Sequence, residues 1–201
     1  MSHFQTIVCI GASTGGPGAL EKVLTGIPKH FAAPLFIVQH MPPKFTKALA
    51  ARLDTLAQIT VREAEHDELA RAGTAYIAPG GIHFEIAQTT EGIRIRLDAS
   101  RPKGLHCPSV NELLESAAGL ESYKKIAVIM TGMGSDGTQG LRYLKKSHGT
   151  YAIAESEDSS VVYGMPRAAA ATGAVDRILP VEAIAECLVG RVRLDGAMLE
   201  E

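Results

Sequence analysis

Three short stretches of this chain are almost free of polar residues: 6–10 (TIVCI), 35–38 (LFIV) and 126–131 (IAVIMT). A strand with one wet face alternates apolar and polar residues. Runs without alternation belong to strands covered on both faces, as in a parallel sheet. Between these runs lie segments of helical period. Leu20, Val23, Leu24 and Ile27 recur at i, i+3, i+4 and i+7, and Phe45, Leu49, Leu53 and Leu56 are expected to line one face of a second helix. A third helix is expected from Ser109, where Ser-Val-Asn-Glu112 has the capping-box pattern and Val110, Leu113, Leu114, Ala117 and Ala118 share one side.

The middle of the chain reads differently. Residues 59–61, 75–78, 83–86 and 93–97 form short, closely spaced apolar stretches separated by Gly or polar residues, and some of them are expected to pair antiparallel, with 89–92 as a hairpin turn. Alternation then resumes, with a helix after Gly137, a strand near 151–154, a helix near 166–172 and a last helix from Val181. Repeated strand–helix units imply an α/β fold. The expected class is a mainly parallel sheet with helices on both faces, a Rossmann-like three-layer arrangement, with a short antiparallel hairpin region in the middle. No internal repeat and no long linker divides residues 1–201.

Composition removes several functions. A net charge of −2 with both signs interspersed, and the absence of Trp, leave no basic or stacking surface for nucleic acid. Three widely spaced cysteines (Cys9, Cys107, Cys187) make neither a disulfide framework nor a metal clip. The N-terminal segment has no signal-peptide pattern, and no run approaches 18 apolar residues, so a cytoplasmic protein without membrane insertion is expected.

In sheets of this kind, ligands bind outside the carboxyl ends of the strands. The three apolar runs lead directly into Gly-Ala-Ser13-Thr-Gly-Gly-Pro, Gln39-His40-Met-Pro-Pro and Thr131-Gly-Met-Gly-Ser-Asp136-Gly. A serine, a histidine and an aspartate therefore arrive at one edge of one sheet. Residues 11–15 fit Gly-x-Ser-x-Gly, the nucleophile-elbow pattern, in its required place between a strand and a helix. Ser13 would then sit at a helix N-terminus, where free N–H groups stabilise an oxyanion. The plainer reading, a glycine-rich turn with a serine cap, stays open on this motif alone. His40 follows a buried strand and precedes a rigid Met-Pro-Pro turn, and imidazole suits general-base chemistry near neutral pH. Its Nδ1–H would be met by the Asp136 carboxylate. His3, His30, His66 and His148 lie at an end or in polar segments, whereas His83 and His106 are placed to line a cleft.

A different class of function competes for the third loop. Gly132-x-Gly134-x-x-Gly137 follows a strand and opens a helix, which is dinucleotide-binding spacing, and Glu155 stands about 20 residues on, where a ribose-binding acid is expected. Against it, Asp136 would face a pyrophosphate with a like charge. The Gly15-Gly-Pro-Gly loop also lacks the Lys-Ser/Thr of a P-loop. His83-Phe-Glu85 begins like a zinc-deaminase signature, but no Pro-Cys-x-x-Cys follows. The order Ser, His, Asp, with Ser13 after the first strand, departs from the α/β-hydrolases. Nucleotide binding remains the alternative at this point.

The three loops, together with Tyr76-Ile-Ala-Pro-Gly-Gly-Ile-His83, His106-Cys-Pro-Ser-Val and Val161-Val-Tyr-Gly-Met-Pro-Arg167, resemble the catalytic domain of the chemotaxis protein-glutamate methylesterases over nearly the whole chain. The resemblance implies a doubly wound α/β domain, residues 1–201 forming one catalytic domain. It implies a serine hydrolase that removes methyl groups from glutamate γ-methyl esters on the cytoplasmic helices of chemoreceptors and deamidates receptor glutamines. By motif position it makes Ser13 the nucleophile, His40 the base and Asp136 the orienting carboxylate, with the backbone N–H groups of Thr14 and Met133 as the oxyanion hole. No metal or organic cofactor is implied. Family members commonly carry an N-terminal receiver domain, whereas this chain begins almost at the first catalytic strand. A separate receiver-domain regulator, rather than phosphorylation in cis, is therefore expected. Cys107 stands where the family commonly has Arg or another polar residue.

Overall fold

A computed structural model describes residues 4–100 and 106–197, so His3 lies outside the described residues. From the N-terminus, β1 (Thr6–Ala12) leads into α1 (Gly16–Thr25), and β2 (Leu35–Gln39) into α2 (Phe45–Leu56). β3 (Thr60–Glu63), β4 (Thr74–Ile77), β5 (His83–Thr89) and β6 (Gly92–Asp98) follow. The chain continues through α3 (Val110–Ala118), β7 (Lys124–Ile129), α4 (Thr138–Leu144), β8 (Thr150–Glu155), α5 (Met165–Ala170), β9 (Arg177–Leu179) and α6 (Val181–Ala197). Seven strands form one sheet in the order β3-β4-β2-β1-β7-β8-β9, and every pairing in it is parallel.

The apolar runs occupy the centre of this sheet because both of its faces are covered. From β1, Val8 and Ile10 enter a layer with Leu20 and Leu24 of α1, Leu53 of α2 and Leu188 of α6. Ile7 and Cys9 enter the opposite layer with Phe84 and Ile95 of the β5–β6 hairpin, Leu113 of α3, Leu141 of α4 and Met165 of α5. Each fully buried aliphatic side chain of this kind contributes roughly 1.5–3 kcal/mol. Burial also pushes the Cys9 thiol up to about 12, which leaves it as a small apolar core residue without thiolate chemistry.

One expectation holds for part of its range, one changes, and one strand has no sequence signal. Of the four short middle stretches, β5 and β6 pair antiparallel through the turn expected at 89–92, whereas β3 and β4 extend the parallel sheet beyond β2. Short length and loop-like flanks conceal a strand whose partner is distant in sequence. On α2 the buried stripe is Thr46, Leu49, Ala50 and Leu53, and Phe45 and Leu56 are exposed. The stripe keeps the i, i+3, i+4, i+7 spacing but begins one residue later, which rotates Phe45 out by about 100°. The edge strand β9, whose residues are largely exposed, carries no apolar pattern to announce it.

β1 crosses over to β2 on one side, while β7 on its other side continues outward to β8. The direction of winding reverses between β1 and β7, and a crevice opens at such a switch point. Ile10, fully buried on β1, tests the packing beneath it. Ile10→Ala is expected to lower unfolding free energy by about 2–5 kcal/mol in urea titrations. A loss below about 1 kcal/mol would contradict a two-sided core at the central strand.

Candidate active site

Backbone pairing continues past the ends of β1, β2 and β7 and draws their loops together. His40 N–H donates to Ala12 O at 3.1 Å, Met130 N–H to Gly11 O at 2.8 Å and Ser13 N–H to Thr131 O at 2.9 Å. Ser13, His40 and the 131–136 loop therefore sit on one edge, as the loop sequences predict.

His40 Nε2 lies 2.8 Å from Asp136 Oδ2. The expected partner nitrogen was Nδ1, and strand order explains the difference. β1, which carries Ser13, lies between the histidine strand β2 and the aspartate strand β7. Neighbouring strands are about 4.8 Å apart, so the imidazole has to reach across β1 to meet Asp136, and its farther nitrogen does so. Nε2 then holds the proton that the carboxylate accepts, and Nδ1 is the nitrogen left for Ser13. Ser13 Oγ makes no hydrogen bond to His40 among the described residues. Such contacts commonly close only when substrate binds.

Asp136 is nearly enclosed, with 2% of its side chain exposed. Besides His40, its carboxylate accepts from Val110 N–H (2.7 Å), Asn111 N–H (3.1 Å), Ser109 Oγ (2.9 Å) and Gly137 N–H (3.0 Å). This replaces the capping box expected at Ser109. The Ser109 hydroxyl turns to Asp136, and Glu112 pairs with His83 Nδ1 at 3.0 Å. One ionised carboxylate satisfies two orphan amides of α3 and faces the positive end of that helix. Burial would raise the Asp136 carboxyl. The bonds from His40, the Val110 and Asn111 amides and Ser109 together outweigh burial and bring it down to about 2.

The serine side is held from the same loop. Thr131 Oγ1 donates to Thr14 O at 2.9 Å and accepts from Val162 N–H at 3.0 Å. Its amide donates at 2.8 Å to Glu155 Oε2, and Ser159 Oγ donates to Oε1 of the same carboxylate at 2.9 Å. Glu155 is fully buried. Gly132 packs directly on the serine: a Cβ there would come within 2.4 Å of Met165 Sδ and 2.8 Å of Ser13 Cβ. Its carbonyl accepts from Gly164 N–H at 3.1 Å and Met165 N–H at 2.8 Å. The Thr14 and Met133 amides donate to no carbonyl among the described residues.

Two further histidines resolve differently. His106 stacks on His40 with ring centroids 4.3 Å apart and planes 6° from parallel. It also borders a cavity of about 280 Å³ lined by Ser109, Asn111, Gly134 and Asp136. His83 is buried beside Glu112 and does not line the cleft. A broader groove of about 710 Å³ runs from Met133 along Tyr163 to Arg167. Among the described residues no group of three or more His, Cys, Asp or Glu side chains is arranged to hold a metal ion.

The dinucleotide alternative loses its parts. Glu155 is enclosed and bonded to Thr131 and Ser159, so it does not face a ribose. The first turn of α4 is occupied as well, since the Gly137 and Gly140 amides donate to Asn111 Oδ1 at 3.0 and 2.7 Å. The residue pattern alone does not mark Gln39 or Thr131 as parts of the site, and it assigns Glu155 to a ribose rather than to Thr131. The one available signal is position, since each lies at or just past the end of a strand of the parallel sheet.

The class this defines is a doubly wound α/β domain with serine, histidine and aspartate gathered at its switch point. More narrowly, the chain belongs to the CheB methylesterase family, whose model matches residues 8–188. The protein-glutamate methylesterase/protein-glutamine glutaminase of Geobacillus kaustophilus is 55% identical over 185 residues, which cover 92% of this chain and 53% of that protein. Its Bacillus subtilis counterpart is 49% identical over 189 residues, 94% of this chain and 53% of the relative. The CheB methylesterase catalytic domain of Thermotoga maritima, known from a crystal structure, matches with a TM-score of 0.88 at 42% identity, covering 94% of this chain and 98% of that one. The chain thus spans about half the length of the curated relatives it matches.

The donors around Asp136 predict a pH signature. Its folded pKa, about 2, lies below the ordinary value near 4, so its contribution to stability is full above about pH 4 and lost as pH falls through about 2. Asp136→Asn is expected to lower stability at neutral pH by roughly 2–3 kcal/mol and to flatten the melting profile between about pH 4 and 2. An unchanged acid limb in the variant would contradict this donor set.

Proposed function

We propose that residues 1–201 act as one catalytic unit, a serine hydrolase of glutamate γ-methyl esters on the cytoplasmic signalling helices of chemoreceptors. The observation that carries this reading is the His40–Asp136 pair, 2.8 Å apart on a carboxylate saturated with donors, beside the Ser13 elbow. The activities for which the relatives are named, protein-glutamate methylesterase and protein-glutamine glutaminase, support the choice of substrate.

In this mechanism His40 Nδ1 takes the Ser13 hydroxyl proton as Oγ attacks the γ-carbonyl carbon. Asp136 holds Nε2–H, fixes the tautomer and stabilises the imidazolium that forms. The Thr14 and Met133 N–H groups receive the oxyanion. Each such donor typically contributes about 2.7–4 kcal/mol to the transition state. The tetrahedral intermediate collapses as His40 returns its proton to the methoxy oxygen, and methanol leaves. A water then attacks the acyl-serine with His40 again as base, releasing glutamate and restoring Ser13. A glutamine side chain follows the same route with ammonia as the leaving group. A receiver-domain regulator belongs to this reading as the source of control. No helix among the described residues is long and apolar enough to cross a membrane, which fits a site that meets receptor helices outside the bilayer.

The test is methanol release from methylated cytoplasmic receptor fragments, with Ser13→Ala assayed in parallel. Release by the wild-type chain is expected, with a fall of at least about 10³-fold in kcat for the variant. Wild-type turnover by Ser13→Ala would remove Ser13 as nucleophile.

A further inference from the structure

The two amides assigned to the oxyanion belong to peptide planes fixed in different ways. In a trans peptide the C=O and N–H point in opposite directions, so holding the oxygen aims the N–H. The plane that ends in the Met133 N–H is held by Gly132 O, which accepts from the Gly164 and Met165 amides. Both of those bonds are backbone. The plane that ends in the Thr14 N–H is held by Ser13 O, which accepts from Gly16 N–H at 2.8 Å and from Gln39 Nε2 at 2.9 Å. Of these four bonds, Gln39 supplies the one made by a side chain.

We propose that Gln39 is a positioning residue for the reaction, its carboxamide clamping the Ser13–Thr14 peptide so that the Thr14 N–H faces the developing oxyanion. The inference rests on the esterase reading above. Gln39 is the last residue of β2, pairs with Ala12 across the ladder and is 2% exposed, so its side chain lies directly under the nucleophile loop. The same Nε2 donates to His40 O at 3.1 Å. One amide group therefore bridges the carbonyls of the nucleophile and the base and sets the spacing between their loops. A carbonyl that accepts two hydrogen bonds also polarises its own peptide, which strengthens the opposite N–H as a donor. The seat of the carboxamide is built for it: a Cβ on Gly16 would fall 1.8 Å from Gln39 Oε1 and 2.9 Å from Cδ. Glycine at 16 leaves that space, and a methyl group there would push the clamp aside.

The experiment compares kcat and KM for methanol release by wild type, Gln39→Leu and Gln39→Met, both of which keep bulk without a donor. A boronic acid that forms a tetrahedral adduct on Ser13 is titrated alongside. Both variants are expected to lose roughly 10–100-fold in kcat with KM within about twofold of wild type, and to bind the boronate more weakly by a similar factor. Gly16→Ala is expected to lower kcat in the wild-type background and to lower it much less in Gln39→Ala, where Ala12 Cβ at 3.0 Å is the close neighbour that remains. Thermal unfolding checks that each variant is folded, and Gln39→Met with Gly16→Ala carries the test if Gln39→Leu is not. Wild-type kcat in a folded Gln39→Leu, a change confined to KM, or additive losses in the Gly16–Gln39 pair would overturn the clamp alone. A wild-type chain that neither releases methanol nor binds the boronate would overturn the esterase reading, and the clamp with it.

Discussion

The carboxylate of Asp136 is almost wholly enclosed, and an ionised group in that position is tolerated because donors surround it on every open side. A buried charge without such partners would cost several kcal/mol or be neutralised. The consequences spread outward from this one group. Val110 and Asn111 place the N-terminus of α3 against the end of β7, Ser109 gives up its own cap, and His40 is held across the intervening strand. The site's geometry and the seating of α3 are therefore one interaction viewed from two sides. The proposed base is oriented by a group that the fold already requires to be charged.

The serine half of the site rests on neutral hydrogen bonds. Thr131 is the junction: its carbonyl takes the Ser13 amide, its hydroxyl takes the Thr14 carbonyl as partner, and its amide is anchored by the buried Glu155. Gly132 then lies flat against Ser13 because no side chain intervenes. These contacts run through the ends of three neighbouring strands, β1, β7 and β8. The backbone of the Ser13 loop is thus held by the scaffold itself. The charged side positions the proposed base, and the neutral side positions the proposed nucleophile and its oxyanion donors.

Much of this was legible in the chain itself, for a physical reason that varies with the element. Residues 6–10, 35–38 and 126–131 announce buried parallel strands because burial on both faces removes every polar residue from the run. The loops that follow them are readable because a strand end has a direction, and parallel strands deliver their next residues to one edge. The hairpin of β5 and β6 was readable because its partners are adjacent in sequence. β3 and β4 were not readable as sheet extensions, since β4 acquires its identity from β2, distant in sequence, and β3 joins the sheet only through β4. The face of α2 was displaced by one residue because Phe45, apolar but placed at the first turn, has no layer above it to enter.

By itself, then, the sequence determined the class of fold, the strands at its centre and the presence of Ser13, His40 and Asp136 on a common edge. Each of these follows from local patterns of burial and turn chemistry. Tertiary structure decided how those side chains meet. It placed β1 between β2 and β7, and so turned Nε2 rather than Nδ1 toward Asp136. It withdrew Glu155 from any ribose and made it an anchor for Thr131, and it gave Ser109, Gln39 and His106 partners from loops distant in sequence. Hydrophobic periodicity is a property of a few consecutive residues, whereas the pairing of polar groups depends on strand order, which no short stretch of chain contains.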